Sequence, residues 1–297
     1  MSVSSSELML EAAEVLRRGG VPEARREAGS LLQYVIQRDR TFLLSHPEYV
    51  LTAEEEENFR RYVVRRANGE PLQYITGMQA FFGLDFEVTK DVLIPRPETE
   101  LLVETALKLL AADAIDPFIC DVGTGSGCIA IALLHENPRA SAVGVDISDA
   151  AIRVAKRNAQ RHEVMNRFRL LISDGFSALN PNQNHFDLVA SNPPYVAGSA
   201  WDGLQREVRD HEPRVALVSG ADGLVMIRRL LVESVAFLKP GGHLLFEVGF
   251  DQGDVVQRLV DRSNWNIIDI QDDLQGIPRI MVLQKSKDEG GRRKEEG

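Results

Sequence analysis

The sequence predicts an α/β protein with a mainly parallel sheet, preceded by a small all-helical N-terminal domain. Three observations predict it. From Glu98 onward, short apolar and β-branched runs alternate with helix-length segments, as in strands joined by crossover helices. A glycine-rich turn, Gly123-Thr124-Gly125-Ser126-Gly127, separates the first of those runs from the next helical segment. Residues 1–76 instead carry apolar side chains at helical spacing, bounded by capping signals.

In the N-terminal region Ser4 and Glu7 have capping-box spacing. Leu8, Ala12, Val15 and Leu16 follow the helical period, and Gly19-Gly20 supplies a stop. Pro22 restarts a helix in its first turn, carried on by Ala24, Ala28, Leu31, Leu32 and Val35. Thr52 and Glu55 form a second capping box before a helix running to Asn68-Gly69. In that helix Glu54 to Glu57 stand at the start and Arg60, Arg61, Arg65 and Arg66 towards the end. The order complements the helix dipole and allows Glu56–Arg60 and Glu57–Arg61 pairs. Such a face is read either as solvated surface or as a docking surface for a protein partner.

Residues 77–97 change pattern, with Phe81-Phe82 and Phe86-Glu87-Val88 punctuated by Gly83, Pro95 and Pro97, and are expected to form a hairpin-like linker. The larger domain, 98–286, starts with a helix through Ala111. A strand at Phe118–Val122, a helix from Ser126, a strand at Ala142–Asp146 and a helix from Asp149 follow. Further strands are expected at Phe168–Ile172, Phe186–Ser191, His243–Val248 and Ile280–Gln284, with a helix around Met226–Leu238. Residues 287–297 mix both charge signs with glycine and are expected to be disordered.

Composition narrows the function. With 297 residues, 44% hydrophobic and 26% charged, the chain can bury one large core and a small one. A net charge of -10 argues against binding nucleic acid through a generally basic surface, so no stable nucleic-acid partner is expected. Residues 1–10 lack a positive segment followed by an apolar one, and do not read as a signal peptide. The apolar run Cys128–Leu134 is too short to span a bilayer, so no membrane association is expected. The two cysteines, Cys120 and Cys128, fit neither zinc nor redox spacing, and are expected to be buried thiols in a reducing cytoplasm. No metal site and no oligomer are expected.

The glycine turn carries the first chemical signal. Glycines let the backbone approach a ligand closely, and the helix that follows presents free N–H groups. Such a turn also serves dinucleotides, but Cys128 stands where their third glycine would be. Asp121-Val122-Gly123-Thr124-Gly125-Ser126-Gly127 matches more closely the E/D-x-G-x-G-x-G fingerprint of class I S-adenosylmethionine-dependent methyltransferases, whose sheet is Rossmann-like. Asp146 ends the next strand, where a carboxylate can accept from both ribose hydroxyls. Asp174 ends the third strand, suited to an adenine amino contact or to orienting its own loop, and Gly175 and Phe176 are placed to line an adenine pocket.

Ser191-Asn192-Pro193-Pro194-Tyr195 carries the second signal, at the carboxyl edge of the sheet. An amide or exocyclic amine is a poor nucleophile because its lone pair is delocalised. The Asn192 side-chain oxygen and the Pro193 carbonyl can accept its two N–H groups, which turns the lone pair towards a sulfonium methyl. Pro193 and Pro194 stiffen the loop, and Tyr195 offers a flat face to a planar amide or base. Asn192, Pro193 and Tyr195 are therefore the candidate catalytic residues.

At these residues the chain resembles the release-factor glutamine N5-methyltransferases. The likeness extends over Gly69–Gly77, Val92–Glu100, the glycine turn, Asn192–Tyr195, Glu212-Pro213 and Asp222–Leu224. It implies S-adenosylmethionine as cofactor, held by Gly123 to Gly127, Asp146 and Asn192. It implies peptide chain release factors as protein substrates, with the glutamine of their Gly-Gly-Gln motif bound by Asn192 to Tyr195. The N-terminal domain would dock that substrate, in the cytoplasm. Some relatives carry tryptophan where this chain has Gly175. The Asn-Pro-Pro-Tyr motif alone is shared with adenine-N6 methyltransferases acting on DNA or RNA, the competing reading.

Overall fold

Ser4 caps the first helix as its spacing predicts, its hydroxyl accepting from the Glu7 amide while the Glu7 carboxylate accepts from the Ser4 amide. Helix α1 (Ser5–Arg18) is followed by α2 (Ala24–Ile36), a short α3 (Arg40–Ser45), α4 (Ala53–Ala67) and α5 (Leu72–Thr76). Thr52 and Glu55 form the second capping box at the start of α4. Gly19 does more than stop α1. A Cβ there would stand 2.6 Å from the Ala67 carbonyl oxygen, so only glycine lets the ends of α1 and α4 meet. Leu8, Leu16, Leu31, Leu32 and Phe59 form the core between these helices. Arg60 meets Glu56 at 2.8 Å as anticipated, whereas Arg61 donates to Asn58, closer along its own face, in place of Glu57. The short helices α3 and α5 were not anticipated; Asp39 caps α3 by accepting from the Phe42 amide at 2.8 Å.

The computed structural model describes residues 3–113, 115–183 and 185–287, so the charged tail 288–297 lies outside the described residues. Met1–Met78 forms one compact unit together with Leu204–Glu212; Gln79–Gly203 with Pro213–Gly297 forms the other. Within the first unit a buried cation joins distant segments. Arg66, 5% exposed, bonds Glu27 of α2 and stands 2.9 Å from Glu207.

The expected hairpin is β1 (Met78–Phe81) with β2 (Leu84–Glu87). Its two turn residues, Phe82 and Gly83, have φ of 51° and 73°, as a type I′ hairpin turn requires of both positions. Glycine meets that need without cost; Phe82 is held in it by donating its amide to Glu100 at 2.8 Å. The hairpin is not a bare connection. Phe81 and Phe86 meet edge to face in the core beneath the main sheet.

The remaining elements are α6 (Glu100–Asp113), β3 (Phe118–Val122), α7 (Cys128–Glu136), β4 (Ser141–Asp146), α8 (Asp149–Arg161), β5 (Phe168–Ile172) and β6 (Phe186–Ser191). After them come α9 (Arg206–His211), α10 (Val225–Glu233), β7 (Leu238–Glu247), α11 (Gly253–Leu259), β8 (Trp265–Asp272) and β9 (Pro278–Lys285). The seven-stranded sheet runs β5-β4-β3-β6-β7-β9-β8, parallel from β5 to β7, with β9 antiparallel to both its neighbours. Successive strands move outward from β3 in one direction through β5 and in the other from β6. The change of direction opens a crevice at the carboxyl ends of β3 and β6. Helix α7 is buried from Cys128 to Leu134, which accounts for its unbroken apolar run. Both cysteines are buried and free, as expected. Strand β8 and helix α11 were not anticipated, β7 starts earlier than His243, and α10 ends earlier than Leu238.

Candidate active site

Strand β3 carries Asp121, fully buried, just ahead of the glycine turn. Its Oδ2 accepts the Thr124 hydroxyl at 2.7 Å and the Ala130 amide at 3.3 Å, tying the glycine turn to the first turn of α7. Its Oδ1 faces no donor among the described residues, and burial pushes its pKa up to about 6. The turn folds back over β4, for the Gly123 and Thr124 amides both donate to the Val145 carbonyl at 2.9 Å. Gly123 and Gly125 have φ of 74° and 54°, which favours glycine. Gly127 is fixed by packing as well, a Cβ there standing 2.9 Å from Ile131.

Asp146 follows from the end of β4. Its Oδ2 accepts from Gly125 N and its Oδ1 from Ser148 N, each at 2.9 Å. Burial raises its pKa, and those backbone donors oppose the rise. A carboxylate has about four acceptor positions, so two bonds leave capacity for a ligand. Gly123, Thr124, Gly125, Ser126 and Asp146 all line a cleft of about 350 Å³.

Asp174 and Gly175 also line it. Asp174 pairs with Arg229 of α10 at 2.6 Å, and that guanidinium covers Gly175, where a Cβ would stand 2.9 Å from Nη2. A bulkier residue at 175 would displace the arginine. Phe176, placed by sequence on the adenine side, turns away. It is 3% exposed, its ring stacks on that of Phe237 at 4.8 Å, and it belongs to a core cluster separate from that of Phe81 and Phe86 rather than to the cleft lining.

Asn192, Pro193 and Pro194 line the cleft next to the glycine turn. The Asn192 Nδ2 donates to the Thr99 hydroxyl at 3.0 Å, and that hydroxyl donates to Glu247 Oε2 at 2.7 Å. Tyr195 is not among the lining residues. Its hydroxyl donates to Glu247 Oε1 at 3.2 Å, and its carbonyl accepts from Gln252 at 3.0 Å. Gly223 makes room for this loop, since a Cβ there would fall 2.2 Å from the Tyr195 carbonyl oxygen. Burial and the neighbouring Glu247 carboxylate hold the Tyr195 phenol well above its ordinary pKa, so it stays a donor. Burial likewise raises the pKa of Glu247, opposed by the hydroxyls of Thr99 and Tyr195.

Among the described residues the lining contains no histidine or lysine, and its carboxylates are those of Asp91, Asp146 and Asp174. Cys128 reaches it, but burial pushes that thiol up to about 12, too high for a nucleophile. Thr99, Glu247 and Arg229 were missed from sequence. A signal existed for Glu247: one carboxylate closes the apolar run Leu244–Phe246, as Asp146 closes Ala142–Val145.

Residues 7–77 match the family model described as the PrmC N-terminal domain, and residues 97–210 match the methyltransferase small domain. A release factor glutamine methyltransferase of Koribacter versatilis is 43% identical over 91% of this chain and 94% of its own length. Another, from Geobacter sulfurreducens, is 42% identical over 90% of this chain and 91% of its own. The chain belongs to the release factor glutamine methyltransferase family. Two stretches that carry the family likeness have definite places in the fold: Val92, Leu93 and Pro95 line the cleft, and Gly223 admits the Asn192–Tyr195 loop. Beyond the family, the catalytic domain of hMettl16 solved with a MAT2A 3'UTR hairpin superposes with a TM-score of 0.56 at 12% identity, over 87% of this chain and 92% of that one. That likeness concerns the fold alone.

Proposed function

We propose that the chain transfers a methyl group from S-adenosylmethionine to the side-chain amide nitrogen of the glutamine in the Gly-Gly-Gln motif of peptide chain release factors. The observation that carries this reading is the Asn192 amide. Its nitrogen is engaged by Thr99, which leaves its oxygen as an acceptor on a residue of the cleft wall. With the Pro193 carbonyl it gives a primary amide two acceptors for two N–H groups. Held so, the lone pair faces the methyl donor, and positioning supplies the acceleration. No base acts first, because the nitrogen becomes acidic only once it is alkylated.

The cleft fits the cofactor. Nothing lies within 4 Å of a Cβ placed on Gly123, so a ligand can approach that backbone closely. Asp146 keeps acceptor capacity for ribose hydroxyls, Asp174 and Gly175 are read as the adenine side, and Val92, Leu93 and Ile147 supply apolar walls. When bound, S-adenosylmethionine supplies the methyl group on its sulfonium. Among the described residues no helix is long and apolar enough to cross a membrane. We read the activity as cytoplasmic, where translation uses release factors, and the helical unit as the substrate-docking part.

The test offers labelled methyl donor to a release factor and to duplex DNA in parallel, followed by mass spectrometry of the Gly-Gly-Gln peptide. Label on the glutamine nitrogen is the expected result. Label on DNA adenine alone would favour the competing base-methylation reading, and label on another residue would sink the glutamine assignment.

A further inference from the structure

We infer that Thr99 and Glu247 are positioning residues that fix which end of the Asn192 side-chain amide faces the substrate, a role that rests on the methyl-transfer reading above. The two ends of an asparagine amide are nearly equal in size and opposite in hydrogen-bonding sense. Only the oxygen end can receive an N–H of the substrate amide. Turned by 180° about its last torsion, the same side chain would present donors to donors and the substrate would be held badly or not at all.

The chain of bonds excludes the turned form. Glu247 closes β7 at 2% exposure, and each of its oxygens takes one hydroxyl, Tyr195 on Oε1 at 3.2 Å and Thr99 on Oε2 at 2.7 Å. An ionised carboxylate only accepts. Burial, with a smaller contribution from the charge of Glu98, raises the Glu247 pKa, while the Thr99 and Tyr195 hydroxyls and the charge of Arg279 hold it down, and the polarity that follows is that of the ionised form. Thr99 has a single hydroxyl hydrogen, and it is committed to Glu247. Towards Asn192 the same oxygen can therefore only accept, which requires Nδ2 to face it, at 3.0 Å. Polarity set at Glu247 is thus passed through Thr99 to the cleft wall. Three elements meet to do this: Thr99 precedes α6, Asn192 follows β6 and Glu247 ends β7. Thr99 is 1% exposed, and its β-branched side chain has little torsional freedom. Tyr195 then serves as the second donor that holds the carboxylate in place.

The experiment compares Thr99→Val, Thr99→Ser and Asn192→Ala, alone and with Thr99→Val combined with Asn192→Ala, by steady-state methylation of an intact release factor. Valine keeps the shape and removes the hydroxyl. Thr99→Val should lower kcat on the order of tenfold to a hundredfold, with KM for the release factor, cofactor affinity and melting temperature changed far less. Thr99→Ser should recover most of the loss, since serine returns the hydroxyl. In the Asn192→Ala background Thr99→Val should cost almost nothing further, because the group it orients is already gone. Unchanged kcat in Thr99→Val, a loss that serine does not restore, or a loss that adds in full to that of Asn192→Ala would each overturn the assignment while leaving the methylation reading intact. An unsubstituted chain that leaves the release factor glutamine unmethylated would overturn both.

Discussion

Asn192 and Asp146 both line one cleft, and in the proposed reading each contributes oxygen acceptors, but to different partners. Asn192→Ala deletes an acceptor that acts on the reacting nitrogen. We expect it to keep its fold and most of its cofactor affinity, and to lose on the order of a hundredfold in turnover, the scale for one preorganised contact to a reacting group. Near-normal turnover in a single-turnover assay would rule out the acceptor role. Asp146→Ala should act on binding instead. Loss of a charged acceptor should weaken cofactor affinity by about 1.5–3 kcal/mol, read by calorimetry. An unchanged affinity would leave Asp146 only its tethers to Gly125 and Ser148. The sequence places both at the edge where ligands bind, Asp146 as the last residue of β4 and Asn192 as the first after β6, and both line the cleft. Tyr195 and Phe176 show where that reasoning stops. Both neighbour cleft residues along the chain, yet one points its hydroxyl at Glu247 and the other stacks on Phe237. Adjacency in sequence does not give a side chain its direction. Glu247 was harder still, since it meets Thr99 across 148 residues of chain.

Local signals dominate at the scale of elements, and they were read well where the chemistry is local. Both capping boxes form because the serine or threonine and the glutamate that complete them lie three residues apart. Strand β8 went unread because its pattern is weak: Trp265 is its one fully buried side chain, and the rest of this edge strand is exposed or half-exposed. The start of β7 was hidden by Pro240-Gly241-Gly242, which reads as a turn but continues the strand beside β6 with a register shift between Phe186 and Leu188. Helix α10 gives way to a 3-10 turn at Ser234–Ala236 where unbroken helix was expected. The strongest element-level dependence is on Arg66, at the end of α4. Its partners Glu27 and Glu207 belong to two other helices, so removing the cation leaves two carboxylates without the guanidinium they share. Arg66→Ala should destabilise the helical unit by about 3–5 kcal/mol, the scale for breaking a buried pair. Urea unfolding followed by circular dichroism reads this directly. A loss under about 1 kcal/mol would place the pair with ordinary surface bridges.

For the molecule as a whole, the division of the chain into units carries the functional question. The cleft and every residue proposed for the chemistry lie in the sheet-containing unit, while residues 7–77 match a separate family model. The sequence located the change to strand–helix alternation near Glu98, but not the return of Leu204–Glu212 to the helical unit, because that segment lies far along the chain and is tied there by Arg66 to Glu207 and by Arg206 to the Asn68 carbonyl. A chain of net charge -10 gains no general attraction for the RNA-rich surroundings of translation, so recognition of a release factor has to come from a specific surface. Removing the residues before Gly77 tests whether the helical unit is that surface. Because Arg206 and Glu207 lose these partners in the truncated chain, its folding should be checked first by cofactor calorimetry. Affinity for S-adenosylmethionine should stay within about threefold, since none of the residues proposed to hold it is removed. Methylation of a short Gly-Gly-Gln peptide should also persist, as the peptide needs only the cleft. The intact release factor should be methylated at least about tenfold more slowly, which corresponds to losing about 1.4 kcal/mol or more of docking energy. If the truncated chain binds cofactor and still methylates the intact factor at the full rate, docking belongs to the sheet-containing unit, and the helical unit must be assigned another task.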